Sequence, residues 1–170
     1  MTEHYWPEIG AAPSRLANMA EGLKVAGHEV DVLTTLPNYP EGRIFSGYRK
    51  RLWTRERHNG ITLFRYWIFA TLSRKPLPRV LNMFSFAVML WLFAFRLRRI
   101  HSYDRVIIQS PTLVTATSAM MLFKKLFRRK CVLNVSDIWP LTAVDMGAIA
   151  DGSLSHRFLT ALELFLYRTA

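Results

Sequence analysis

The chain has 170 residues, 51% of them hydrophobic and 13% aromatic, which is enough for one packed domain and too apolar for a disordered chain. Its single cysteine, Cys131, excludes an internal disulfide and suits a reducing compartment. Against 12 Asp and Glu stand 23 Lys and Arg, a net charge of +11, which favours an anionic partner: lipid head groups, a phosphorylated substrate or nucleic acid. The excess gathers in residues 43–57, 74–79, 96–99 and 124–130. The first residues lack the basic, apolar and small-residue succession of a secretory leader, so no cleaved signal peptide is expected.

The opening loop, Glu8-Ile9-Gly10-Ala11-Ala12, runs into an amphipathic helix on which Leu16, Met19, Ala20 and Leu23 share one face. Pro13 fits the first helical turn and Gly27 the position just past the end. A strand follows over 29–35. Residues 36–52, with Pro37, Asn38, Pro40, Gly42 and Gly47, read as a long loop. Two strands, 51–57 and 61–67, flank His58-Asn59-Gly60, a strong hairpin signal. Pro76 and Pro78 break the chain before a long helix over about 79–100. Val106, Ile107 and Ile108 mark a buried parallel strand at 104–109. Ser110-Pro111 reads as cap and first-turn proline of a helix reaching about residue 127. A strand at 131–135, a loop through Asp137-Ile138-Trp139-Pro140 and a last helix over about 153–168 complete the order. The pattern predicts an α/β fold with a mostly parallel, Rossmann-like sheet, flanking helices and a β-hairpin insertion.

Several segments carry candidate chemistry. A glycine loop opening onto a helix N-terminus presents free N–H groups and the positive dipole end to an anion. There Gly10 would let a diphosphate approach the backbone, and Arg15 would add a cation. Asp137 and Trp139 follow a strand end, where open α/β sheets place their sites. Asp137 can hydrogen-bond or deprotonate a hydroxyl and Trp139 can pack on a sugar face, against a plainer reading as cap and core filler. Ser110 has a similar position, with N-capping an equal alternative. Asn38, Tyr39 and Arg43 sit in a loop that by its residues alone reads as surface turns. The helix 79–100 is apolar nearly all round but shorter in its uninterrupted run than the roughly 20 residues a bilayer crossing needs. Burial in the core and contact with a membrane interface weigh equally for it, through Trp91, Phe93 and Phe95 beside Arg96, Arg98 and Arg99. The five cations in 124–130 exceed what a helix C-terminus requires, so a phosphate-rich surface is a further reading of them.

Some classes are excluded. The five histidines and one cysteine show no metal-ligand spacing, so no metal is expected. There is no G-x-G-x-x-G, no Walker loop and no G-x-S-x-G elbow. The basic runs lack an RNA-motif aromatic pattern, so nucleic acid is not the expected partner.

The segments "YWPEIGAAPSR", "GHEVDVLTTLPNYPEGRI", "GYRKRLW", "SPTLV" and "VSDIWP" resemble, in consistent order, the N-terminal half of family-4 glycosyltransferases of GT-B fold, of the colanic-acid and O-antigen exopolysaccharide type. The resemblance implies that residues 1–170 are the acceptor-side domain, incomplete at both ends, with a separate C-terminal nucleotide-sugar domain. It implies a retaining transfer, without metal or other cofactor, from a nucleotide sugar to a polyprenyl-diphosphate-linked acceptor. The place implied is the cytoplasmic face of the bacterial inner membrane, held peripherally at an anionic surface. In these terms Gly10 and Arg15 bind donor phosphate. Glu8, Asn38, Tyr39, Arg43, Ser110 and Trp139 face the acceptor, and Asp137 is the catalytic candidate. Many relatives carry a histidine in that last region and this chain does not. The competing reading is a non-catalytic, membrane-associated remnant that keeps the basic and apolar surface alone.

Overall fold

The computed structural model describes residues 1–73, 75–96, 102–110, 112–147 and 149–170, and their side chains apart from those of Pro76 and Phe95. The chain divides into two units, Met1–Phe93 and Ala94–Ala170, each of α/β construction.

In the first unit, helix α1 (Ala11–Val25) precedes strand β1 (Asp31–Thr35), and the hairpin strands β2 (Trp53–His58) and β3 (Ile61–Tyr66) precede helix α2 (Pro76–Phe93). The sheet order is β1-β3-β2. β3 runs antiparallel to β2, with Glu56 opposite Leu63, and parallel to β1, with Leu33 opposite Phe64. Asn59 and Gly60 both take positive φ, 49° and 75°, as a two-residue turn between twisted strands demands. The hairpin's returning strand is thus also the parallel partner of β1, and all six of its residues are buried. Leu16 and Ala20 of α1 pack on Tyr5, Val32, Ile61 and Leu63 to form this core. Past the end of α1, Gly27 N–H donates to Lys24 O (3.0 Å) and His28 N–H to Leu23 O (3.1 Å), satisfying carbonyls that a helix end leaves open. Ahead of the opening loop, Thr2 N–H donates to Leu33 O (2.9 Å) and Thr35 N–H to Glu3 O (3.4 Å), so the first residues lie along β1.

Helix α2 starts earlier than the prolines suggest. Pro76 and Pro78 occupy its first turn instead of breaking the chain before it. The first N–H groups of a helix have no internal acceptor, so proline costs nothing there. A 3₁₀ turn, Ala94–Arg96, follows in the second unit, and the rest of the predicted helix, 97–100, lies outside the described residues.

The second unit contains β4 (Arg105–Ser110), α3 (Leu113–Met120), β5 (Lys130–Val135), α4 (Leu141–Asp145) and α5 (Leu154–Thr169). β4 and β5 pair in parallel, Ile108 opposite Leu133. Ala116, Ala119 and Met120 of α3, Ile108 of β4 and Leu166 of α5 are wholly buried. The helix expected over 110–127 is α-helical only to Met120 and widens into a π-helix, Met121–Leu126. Its predicted cap also moves. Ser110 is the last residue of β4, held opposite Val135, and Thr112 takes the N-cap position. Pro111 lies outside the described residues. Ladder pairing extended the strand across a dipeptide that locally reads as a helix start. Lys124 Nζ bonds the carbonyls of Thr169 and Ala170, so one cation of the basic cluster closes the C-terminus of α5. Ser153 caps α5, accepting from His156 N–H at 3.2 Å.

Candidate functional site

In the first unit the site is organised by one carboxylate. The Glu8 side chain is 1% exposed. Its Oε1 accepts the backbone N–H groups of Asn38 (2.7 Å) and Tyr39 (2.9 Å), while Oε2 accepts from Tyr5 N–H (3.1 Å) and meets His4 Nδ1 (3.0 Å). Glu8 therefore ties the opening loop to the loop after β1, and its charge is dispersed over three amides and an imidazole. Its oxygens are occupied by the chain itself, so it positions Asn38 and Tyr39 instead of reaching a ligand. Burial alone would lower the His4 pKa. The hydrogen bond and charge of Glu8, with the charge of Glu3, outweigh burial and raise it.

Asn38 is buried, its Nδ2 donating to Leu36 O (3.0 Å) and Thr35 Oγ1 (3.3 Å). Its carbonyl accepts from Gly42 N–H at 2.7 Å, closing the loop that Arg43 leaves as an exposed side chain. Gly42 is fixed by geometry. It holds φ +62°, and a Cβ there would lie 2.4 Å from Leu72 Cγ and 2.8 Å from Leu72 N. Tyr39 remains 43% exposed, its ring beside His4 and over the start of α1. A Cβ on Gly10 would come within 3.1 Å of Tyr39 Cε1. The missing side chain at Gly10 thus makes room for the tyrosine ring. Gly10 is the N-cap of α1 with no side-chain cap, and no acidic residue lies in the first turn. The first amides of α1 and the exposed Arg15 accordingly form a positive helix end next to the exposed face of Tyr39.

A buried cation that sequence reasoning passed over fixes the same region. Arg65 of β3 is 0% exposed. Its guanidinium donates to Glu56 Oε1, to Trp6 O and to Thr35 O (3.3 Å), and lies 5.5 Å from the Tyr48 ring centre. The Tyr48 hydroxyl donates to the same Glu56 carboxylate at 3.0 Å. Arg65 therefore joins the opening loop, the end of β1 and the hairpin. Trp6 in turn stacks on His58 with ring centres 3.7 Å apart. Tyr5, wholly buried, has its phenol pushed up to about 12, by burial first and by the charge of Glu21 next, so it stays neutral.

In the second unit Asp137, Ile138 and Trp139 follow β5. Asp137 is exposed and Trp139 half-buried. The Asp137 carbonyl accepts from Trp139 N–H (3.1 Å), and α4 begins after Pro140 with no side-chain cap, so the carboxylate does not cap that turn. Ser110 is buried at the end of β4. Beside it Gln109 is 3% exposed. Its Nε2 donates to Ser136 Oγ, and its Oε1 has no hydrogen-bond partner among the described residues. Thus Glu8, Gly10, Asn38 and Tyr39 meet in one unit, with Arg15 and Arg43 at its surface, while Ser110, Asp137 and Trp139 belong to the other. Among the described residues no three His, Cys, Asp or Glu side chains gather as a metal site. Burial pushes the Cys131 thiol up despite Lys124, which is the wrong direction for a nucleophile.

Comparison with known proteins agrees with this architecture. Residues 10–170 match the model of the glycosyl transferase 4-like domain, a match that begins at the N-cap of α1. Over 135 residues the chain is 33% identical to an Escherichia coli (strain K12) protein named as a colanic acid biosynthesis glycosyl transferase, WcaI. That alignment covers 79% of this chain and 32% of the relative, so the chain spans about a third of that protein's length. No solved structure matches the chain. With nearly its whole length covered by the family model, the chain belongs to the glycosyl transferase 4-like family.

Proposed function

We propose that this chain is the acceptor-side domain of a retaining glycosyltransferase, which moves a sugar from a nucleotide-sugar donor to a polyprenyl-diphosphate-linked acceptor in bacterial surface polysaccharide synthesis. The observation that carries the reading is the family match, which takes in the α1 start, the Asn38–Arg43 loop and the Asp137 loop in one span. Likeness to a protein named for colanic acid biosynthesis supports a polysaccharide product.

In this reading the uncapped N-terminus of α1, with Arg15, stabilises negative charge on the departing diphosphate. Tyr39 and Asn38, held by Glu8, present a ring face and a fixed backbone to the acceptor, and Arg43 supplies a cation for its diphosphate. Asp137, an exposed carboxylate at a strand end, handles the acceptor hydroxyl proton, with Trp139 against the sugar. The donor's nucleotide binds in a second domain.

The test is transfer of labelled sugar from nucleotide sugars into bacterial lipid extract, by the chain alone and by the chain joined to the remaining two thirds of the E. coli relative. Transfer is expected only from the joined protein. Asp137→Ala should lower its rate by about 10²–10⁴-fold with the melting temperature unchanged. Turnover by the chain alone would sink the two-domain reading, and near-normal rates in Asp137→Ala would remove the proton role.

A further inference from the structure

Helix α2 has two apolar faces. The inner one, with Phe86 and Leu90 at 0% exposure, is buried. Phe93 also turns inward, stacked on Tyr66 with ring centres 5.6 Å apart, and the Phe95 side chain lies outside the described residues. Of the three aromatics singled out from sequence, only Trp91 is seen to face outward. The outer face is a continuous stripe of Leu77, Leu81, Phe84, Val88, Trp91 and Leu92, exposed between 42 and 67%. Their spacing keeps them on one side of the helix for about 22 Å. The preceding loop is fastened to α2, Phe69 N–H donating to Ser85 Oγ (2.9 Å) and Asn82 Nδ2 to Phe69 O (2.8 Å), and it adds the exposed Leu72. An apolar surface this long is a contact surface.

Charge identifies the occupant. Between Glu56 and Asp104 the sequence has no Asp or Glu, while Lys75 and Arg79 stand at the start of α2. Cations at a helix start oppose the macrodipole, and no acid in the first turn offsets them. Their placement is explained by an external anion. A second copy of the chain on the same face would set cation against cation with no acid between them. At 18 residues α2 is short for a crossing, and among the described residues no helix is long and apolar enough to cross a membrane. We propose that α2 docks in the plane of an anionic lipid bilayer, its outer stripe among the acyl chains and Lys75 and Arg79 at the head groups. The inference rests on α2 and its loop, and the test needs no turnover, so its failure would leave the transfer reading standing.

The test is sedimentation of the purified chain with phosphatidylcholine vesicles, with and without about 30 mole per cent phosphatidylglycerol. Binding to the anionic vesicles is expected, falling about tenfold between roughly 0.05 and 0.5 M salt. Phe84→Glu/Val88→Glu, both on the exposed stripe, should lower it about tenfold while circular dichroism stays native. Lys75→Glu/Arg79→Glu should lower only the anionic component. Equal binding to both vesicles regardless of salt would overturn the proposal, as would undiminished binding by Phe84→Glu/Val88→Glu. So would a dimer that those substitutions split while lipid binding is absent, since a second copy would then be the occupant.

Discussion

Replacing Glu8 by alanine removes the shared acceptor of three backbone amides. Those of Tyr5 and Asn38 belong to residues only 1% and 5% exposed, and an unpaired buried donor costs about 1–3 kcal/mol. The Tyr39 amide belongs to a half-exposed residue, where water can take over. The loss is thus about 4 kcal/mol, a large share of the roughly 5–15 kcal/mol that holds a domain. At about 2–4 °C per kcal/mol for a chain of this size, the melting temperature should fall by about 8–16 °C. Glu8→Gln keeps one acceptor but turns an NH₂ toward Tyr5 N–H, so it should fall between alanine and wild type. The His4 contact adds a pH dependence. Because the folded pKa of His4 is raised, its contribution is complete below the unfolded value of about 6.5 and is lost as pH rises through the folded one. The Glu8→Ala deficit should therefore be larger at pH 5.5 than at pH 8.5, with the amide part remaining at both. Urea titrations and thermal melts at the two pH values measure this. A Glu8→Ala melting point within about 2 °C of wild type at both would refute the claim that this carboxylate fastens the loops.

Gly42→Ala should cost about 3 kcal/mol in a urea titration, because φ is +62° and the added methyl meets backbone and Leu72. Gly47→Ala, with nothing within 4 Å of the new methyl, should stay within about 1 kcal/mol. Arg65→Met should lower stability by about 1–3 kcal/mol, by removing the donor to Glu56 and to the Trp6 and Thr35 carbonyls, and adding Glu56→Gln should recover part of it. No recovery in the double variant would mean that the carbonyl bonds to Trp6 and Thr35, not the ion pair, carry the effect.

What could be read without coordinates was what the chain writes locally. The α1 periodicity, the Gly27 stop and the Asn59-Gly60 turn each depend on residues within a few positions of one another. The role of Glu8 could not be read, because its amide partners at Asn38 and Tyr39 lie some thirty residues on. Arg65 gave no signal at all. One arginine in "ITLFRY" reads as an outward-facing strand residue, and only the approach of Trp6 and Thr35 carbonyls makes it internal. The Ser110 boundary shifted for a related reason, a ladder partner at Val135 taking precedence over a cap-like dipeptide. Membership of the glycosyl transferase 4-like family was legible only in order-preserving resemblance, which neither charge nor periodicity supplies.

The position of β2 bears on how copies of this protein behave at high concentration. It is the outer member of the order β1-β3-β2, and among the described residues no strand pairs with its far side. An open strand edge is a template on which another molecule's strand can add. Here the edge reads Trp-Thr-Arg-Glu-Arg-His, with Arg55 and Arg57 projecting into solvent. A strand approaching in register would have to bury those guanidinium groups or match them with acids, which a chain of net charge +11 has few of to offer. The edge is thereby closed to its own kind by charge, with no further strand among the described residues paired to it, and the sheet ends where its charge begins.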